Sequence, residues 1–159
     1  MNILIIYDSV FGNTEKVAHA VCGAFGDGNI VNCVRPSEID PADITADLLI
    51  VGSPTRKFQP TADIQNFLKR LDRKTLKDTD VAAFDTRISV EDTNSPVLRF
   101  FVKLFGYAAE PMLRTLQKKG GIGKAEPGGF IVNDTKGPLK AGELERAKEW
   151  AKQLVQPAG

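Results

Sequence analysis

Two cysteines, one histidine, one tryptophan and two tyrosines are all that 159 residues contain of those types. Cys22 and Cys33 fall in different segments without CxxC spacing, so both read as small buried hydrophobes in preference to a redox or metal pair. His19 lies off the apolar face of its segment and reads as a solvated side chain. Trp150 reads as a packing residue. Charge of one sign is not in excess: 21 Lys and Arg against 20 Asp and Glu leave +1. That argues against a nucleic-acid binder, which needs a clustered basic surplus. No apolar run is long enough to span a bilayer, and no signal-like segment opens the chain, so the expected address is the cytoplasm. Two phosphate-binding fingerprints are also missing. GxxxxGK[ST] occurs nowhere, and at Gly12 the dinucleotide pattern GxGxxG lacks its other glycines.

Five short apolar runs are present, at residues 2–7, 30–34, 47–52, 81–84 and 129–132. Several are continuous (ILIIY, LLIV, FIV) instead of alternating, as in strands covered on both faces. Helical periodicity fills residues 14–25 (Val17, Val21, Phe25) and 62–71 (Ile64, Phe67, Leu68, Leu71). It returns at 108–119 (Met112, Leu113, Leu116) and 140–155 (Leu144, Ala147, Ala151, Leu154). This alternation predicts one α/β domain over residues 1–159: a doubly wound, five-stranded parallel sheet of order 2-1-3-4-5 with helices on both faces. Ligands of such sheets bind beyond the carboxyl ends of the strands, at the switch point between strands 1 and 3. Three loops follow for inspection: residues 8–14, 53–60 and 85–94.

The first loop turns from a strand straight into a helix, so unpaired amides and the positive end of the helix dipole face outward. Ser9, Asn13 and Thr14 add side-chain donors. With no lysine in the loop, it suits a terminal monophosphate held by neutral groups. The plainer alternative is a capped helix, with Asn13 or Thr14 as N-cap. Asp8 at the end of the first strand raises a phosphoacceptor receiver, but such a receiver needs an aspartate where this chain has Ser53.

Ser9-Val10-Phe11-Gly12-Asn13-Thr14 resembles the phosphate loop of the flavodoxin family, [ST]xTGxT, with Phe11 at the position of the middle threonine. LLIVGSPTRKFQPTADIQNFLKRL resembles the segment of flavodoxins and flavodoxin-like quinone reductases that borders the flavin. FDTR (with Asp85, Thr86 and Arg87) is similar to short flavodoxin-domain chains, and GELERAKEWAKQLV to the family's closing helix. The resemblance implies FMN as cofactor, with Ser9 to Thr14 on its phosphate. Ser53, Pro54, Thr55, Arg56, Lys57, Phe58, Asp85, Thr86 and Arg87 would lie by its ring. There the glycine and proline of GSPT would let backbone approach the ring edge closely. Phe58 would stack on the ring or anchor the loop to the core. No catalytic side chain and no metal are implied.

The expected function is an electron carrier between redox partner proteins. The alternative is an FMN-dependent NAD(P)H:quinone or flavin-type reductase; a flavin-free module is a third class. Arg56, Lys57 and Arg87 would make the flavin potential less negative than acidic surroundings do. KKGGIGKAEPGG follows a helix, so its glycines read as a helix end. SPVLRFFVKLF, residues 95–105, reads as an apolar helix with a stripe of Arg99 and Lys103. It would pack on the domain, lid the flavin, form a homodimer contact, or serve as a membrane-surface or partner patch.

Overall fold

A computed structural model of the chain describes residues 1–91 and 94–157. Strands β1 (Asn2–Tyr7), β2 (Ile30–Val34), β3 (Leu48–Pro54) and β4 (Asp80–Ile88) form a parallel sheet in the order β2-β1-β3-β4. The fifth position is filled twice. β5 (Ile122–Gly123) pairs with the start of β4, and β6 (Gly128–Val132) pairs with its end, both parallel. The order 2-1-3-4-5 holds: the expected last strand is β6, and β5 is a short extra strand in the stretch whose glycines read as a helix end.

Strand side chains alternate between two cores. Leu4, Ile6, Leu49, Val51, Val81 and Ala83 meet helices α2 (Ala62–Arg70) and α4 (Ala109–Lys118) through Ile64, Phe67, Met112 and Leu116. Ile3, Ile5, Leu48, Ile50, Ala82 and Phe84 meet α1 (Asn13–Ala24) and α5 (Glu143–Leu154) through Val17, Val21, Ala147, Ala151 and Leu154. Continuous apolar strands follow from this two-sided covering. Leu144, expected on the buried face, is 38% exposed. Trp150 closes the second core against Phe84 and Phe130, at centroid distances of 6.0 and 6.1 Å. Between β2 and β3 the chain makes only two short 3-10 turns, Pro36–Glu38 and Pro41–Asp43. Helix α3 (Pro96–Phe105) precedes α4 and has no buried residue.

Cys22 and Cys33 are both free and half-buried beside the second core. Burial pushes the Cys33 thiol up to about 12, so it packs as a neutral hydrophobe.

Glu143 ties α5 to the outer rim of β6. Its carboxylate accepts from the Ile131 amide (2.6 Å) and from both Nε and a terminal nitrogen of Arg146 (2.9 and 2.6 Å). Burial alone would raise this carboxyl, but Arg146 and the amide hold it below its ordinary value. Such a carboxylate stabilises the fold fully above the unfolded value of about 4.3. The contribution is lost as pH falls through the lowered native value. Glu143→Gln should cost about 1–2 kcal/mol near neutrality. The gap to wild type should shrink in acid, as read by urea unfolding at a series of pH values.

Candidate functional site

β1, β3, β4 and β6 all end at the same edge, and the loops beyond them enclose a cleft of about 500 Å3. Val10, Phe11, Asn13 and Thr14 line it from the first loop, and Pro54, Thr55, Arg56 and Lys57 from the second. Thr86, Arg87, Ile88, Val132 and Thr135 complete the wall, and among the described residues none that lines it is acidic. Thus most residues singled out in the sequence converge on one space. Ser9, Gly12, Ser53, Phe58 and Asp85 do not line it.

The first loop presents the expected backbone amides, but its expected side-chain donors are engaged within the protein. Ser9 Oγ accepts from the amides of Gly12 (3.1 Å) and Glu15 (3.2 Å). Asn13 donates its side-chain amide to the Lys136 carbonyl (3.1 Å), and the Thr14 hydroxyl meets that of Thr86 (2.7 Å). The N-cap is Gly12, at φ 91°, and neither Asn13 nor Thr14 caps the helix. Among the described residues the amides of Val10, Phe11, Asn13 and Thr14 have no internal partner. Four free amides at a helix N-terminus form an anion nest. Arg56 and Lys136 both approach the Phe11 ring, at 5.8 and 5.9 Å. Two cations therefore flank the position where the family pattern carries a hydroxyl.

The second loop is a two-residue hairpin. Arg56 and Gln59 exchange backbone bonds of 2.8 and 3.0 Å, with Lys57 (φ 48°) and Phe58 (φ 68°) at the tip. Both tip residues are left-handed, a conformation that favours glycine or asparagine in this turn. Phe58 leaves the cleft and packs on Phe101 (6.2 Å) and Phe105 (5.8 Å) of α3. Ser53 is buried, accepting from the Thr61 amide at 3.0 Å. The space beside the Gly52 Cα is taken by the Phe84 ring, so this glycine serves packing inside β3.

Asp85, Thr86 and Arg87, expected in a loop, belong to β4. Part of that expected loop, residues 92 and 93, lies outside the described residues. Asp85 is fully buried and accepts from Arg87 Nε (2.6 Å), an Arg87 terminal nitrogen (2.8 Å) and the Ala109 amide opening α4 (2.8 Å). Burial pushes the Asp85 carboxyl up, while Arg87 and the amide pull it back. Arg87 also lies 3.7 Å from the Tyr107 ring centroid and 3.8 Å from Glu110. A side chain on Gly129 would fill the place of the guanidinium. Arg87 is thus a fixed cation whose charge is matched by Asp85, and the net positive charge at the cleft comes from Arg56, Lys57 and Lys136. Asp8 is likewise engaged, paired with Arg35 at 3.0 Å.

Sequence reasoning missed Ile88, Val132, Thr135 and Lys136. The run NDTKG after FIV was the available signal, since it too follows the carboxyl end of a strand. Among the described residues no group of acidic, histidine or cysteine side chains could hold a metal.

A parallel sheet with an anion nest at its switch point, beside a cleft with no acidic residue among its described lining, has the architecture of a phosphoryl-ligand-binding α/β protein. The flavodoxin family model matches residues 5–107, and the chain belongs to the flavodoxin family. Proteins of this family bind FMN. No curated protein sequence matches the chain. Among solved structures, oxidised flavodoxin 1 of Bacillus cereus is 17% identical, with full coverage of both chains and a TM-score of 0.78. A Streptococcus pneumoniae flavodoxin is 19% identical over 98% of each chain, TM-score 0.73. The rubredoxin oxygen:oxidoreductase of Desulfovibrio gigas is 21% identical over 96% of this chain and 35% of its own length, TM-score 0.63.

Proposed function

We propose that this protein is an FMN-binding electron carrier that docks transiently with redox partner proteins. The observation that carries the reading is the nest of four amides, unpartnered among the described residues, beside a cleft whose described wall residues include none that is acidic. That donor set fits a phosphate dianion. When bound, FMN supplies one- and two-electron transfer at its ring. The chain's own work is to bind and orient. The Val10, Phe11, Asn13 and Thr14 amides hold the phosphate, with Arg56 and Lys136 as counter-charges. The Thr14–Thr86 hydroxyl bond fixes the nest to β4. Pro54, Thr55, Thr86 and Ile88 form the walls for the ring. Ser9, Gly12, Ser53 and Asp85 shape the loops from behind, and Phe58 anchors the hairpin to α3.

Titrating flavin-free protein with FMN and with riboflavin tests the reading: FMN should bind at least tenfold tighter, with flavin absorption bands. Equal affinity for both would remove the phosphate site. Steady NAD(P)H oxidation with a quinone, and no added reductase, would favour the enzymatic alternative.

Arg56 and Lys57 also bear on potential. Nearby positive charge stabilises reduced, anionic flavin. Arg56→Gln with Lys57→Gln should therefore shift the midpoint potential negative. The shift should be larger at low salt, because exposed charges are screened beyond about 10 Å at 0.1 M. Arg87→Gln should shift it less at constant fold, because the buried Asp85 carboxyl, left without its cation, takes up a proton and the net charge there stays the same. Potentiometric titration at two ionic strengths reads both.

A further inference from the structure

Helix α3 is eight-tenths apolar by sequence pattern, PVLRFFVKLF, yet none of its side chains is buried. Val97, Phe100, Leu104 and Phe105 are 63, 61, 62 and 55% exposed, and Phe101 is 39%. At about 100° per residue these five fall on one arc of roughly 140°. Half-buried Leu98 and Val102 lie next to that arc, and Arg99 and Lys103 follow on the remaining side. Beyond Phe58, the same surface continues into the cationic hairpin of Arg56 and Lys57. No acidic residue occurs on α3 or on the hairpin. On the helix itself the exposed apolar ridge is bordered by Arg99 and Lys103, while exposed Glu91 precedes it and Glu110 follows it. An apolar face with a basic polar border is the arrangement of a helix that lies in a membrane interface.

We propose that α3 anchors this protein peripherally to an anionic lipid surface. The apolar ridge enters the headgroup boundary, and Arg99 and Lys103 extend their stems to lipid phosphates. Among the described residues no helix is long and apolar enough to cross a membrane, so the attachment is to one face of the bilayer. Charge selects lipid over a second copy of the chain. Two copies would bring Arg99, Lys103, Arg56 and Lys57 toward their own kind, whereas anionic headgroups neutralise all four. Area points the same way. The five exposed side chains offer about 500 Å2 per copy, so a dimer would bury about 1,000 Å2, below the usual 1,200–2,000 Å2 of a stable interface. Because Phe58 joins α3 to the hairpin that lines the cleft, the bound protein holds its cleft beside the membrane surface.

The test is co-sedimentation of the whole protein with vesicles of phosphatidylcholine mixed with phosphatidylglycerol, and with phosphatidylcholine alone. Wild type should bind the mixed vesicles, several-fold more weakly at high salt, and bind pure phosphatidylcholine at least tenfold more weakly. Phe100→Ser with Leu104→Ser should lose binding to both. Arg99→Gln with Lys103→Gln should lose about tenfold on the anionic vesicles alone. All four positions lie outside the cores, so far-UV circular dichroism and FMN affinity should not change. Wild type that stays in the supernatant with anionic vesicles overturns the proposal and leaves the ridge to a protein partner. So does vesicle binding that ignores both double variants. A micromolar dimer abolished by the Phe100 and Leu104 changes would assign the ridge to a second copy and likewise overturn it.

Discussion

Asp85→Ala is expected to destabilise the fold by about 3–5 kcal/mol, because removing one partner of a buried ion pair leaves the other charge uncompensated. Arg87 would lose both short bonds, and the Ala109 amide would lose its acceptor at the first turn of α4. Glu110, at 3.8 Å, reaches only one edge of the guanidinium. Equilibrium unfolding in urea measures the loss. Asp85→Ala with Arg87→Leu should recover a large part of it, since no unpaired charge then remains. A single-variant loss below about 1 kcal/mol would mean that Arg87 swings to water or to Glu110, and that the pair does not hold the end of β4.

Gly12→Val should weaken FMN binding by about a hundredfold, or about 2.7 kcal/mol, and riboflavin binding far less. The space around the Gly12 Cα is open, so sterics with neighbours are not the cause. The backbone is: φ 91° is a conformation that a β-branched residue rarely adopts. Relaxing it would rotate the amides on either side out of convergence. The stability loss should be modest, about 1–3 kcal/mol. Flavin fluorescence titration with both ligands separates the two effects. Parallel losses for FMN and riboflavin would mean that Gly12 shapes the cleft as a whole and not the phosphate end.

Much of this was legible in the sequence because local pattern and global packing agree. ILIIY and LLIVG are apolar on both faces because helices cover both faces, so their class and order follow directly. The charged run DTR was read as a loop because burial of a carboxylate is costly unless it is paired. Only the fold shows that Arg87 returns to Asp85 and that α4 begins with an amide aimed at it. The short extra strand β5 was hidden among glycines that mark a helix end. Phe58 was open between two roles, and its packing partners lie more than forty positions away in α3. In the first loop, residue types marked a segment that lines the cleft. Its free donors are backbone amides, because Ser9, Asn13 and Thr14 spend their polar atoms on the protein itself.

The tie between α5 and β6 has a consequence for self-association. A sheet edge with free amides and carbonyls is a template onto which another chain can add a strand. On the outer rim of β6, Arg146 takes the Gly129 carbonyl, Glu143 the Ile131 amide and the Lys140 amide the Ile131 carbonyl, while the Asn133 amide reaches Pro138. Most of that rim is engaged from within, so intermolecular strand addition has little foothold there. The opposite edge, β2, is only five residues long. Glu143 and Arg146 therefore guard against aggregation as well as fastening a helix, and a variant that frees them should form fibrillar or amorphous deposits sooner on mild heating than its loss of stability alone would give.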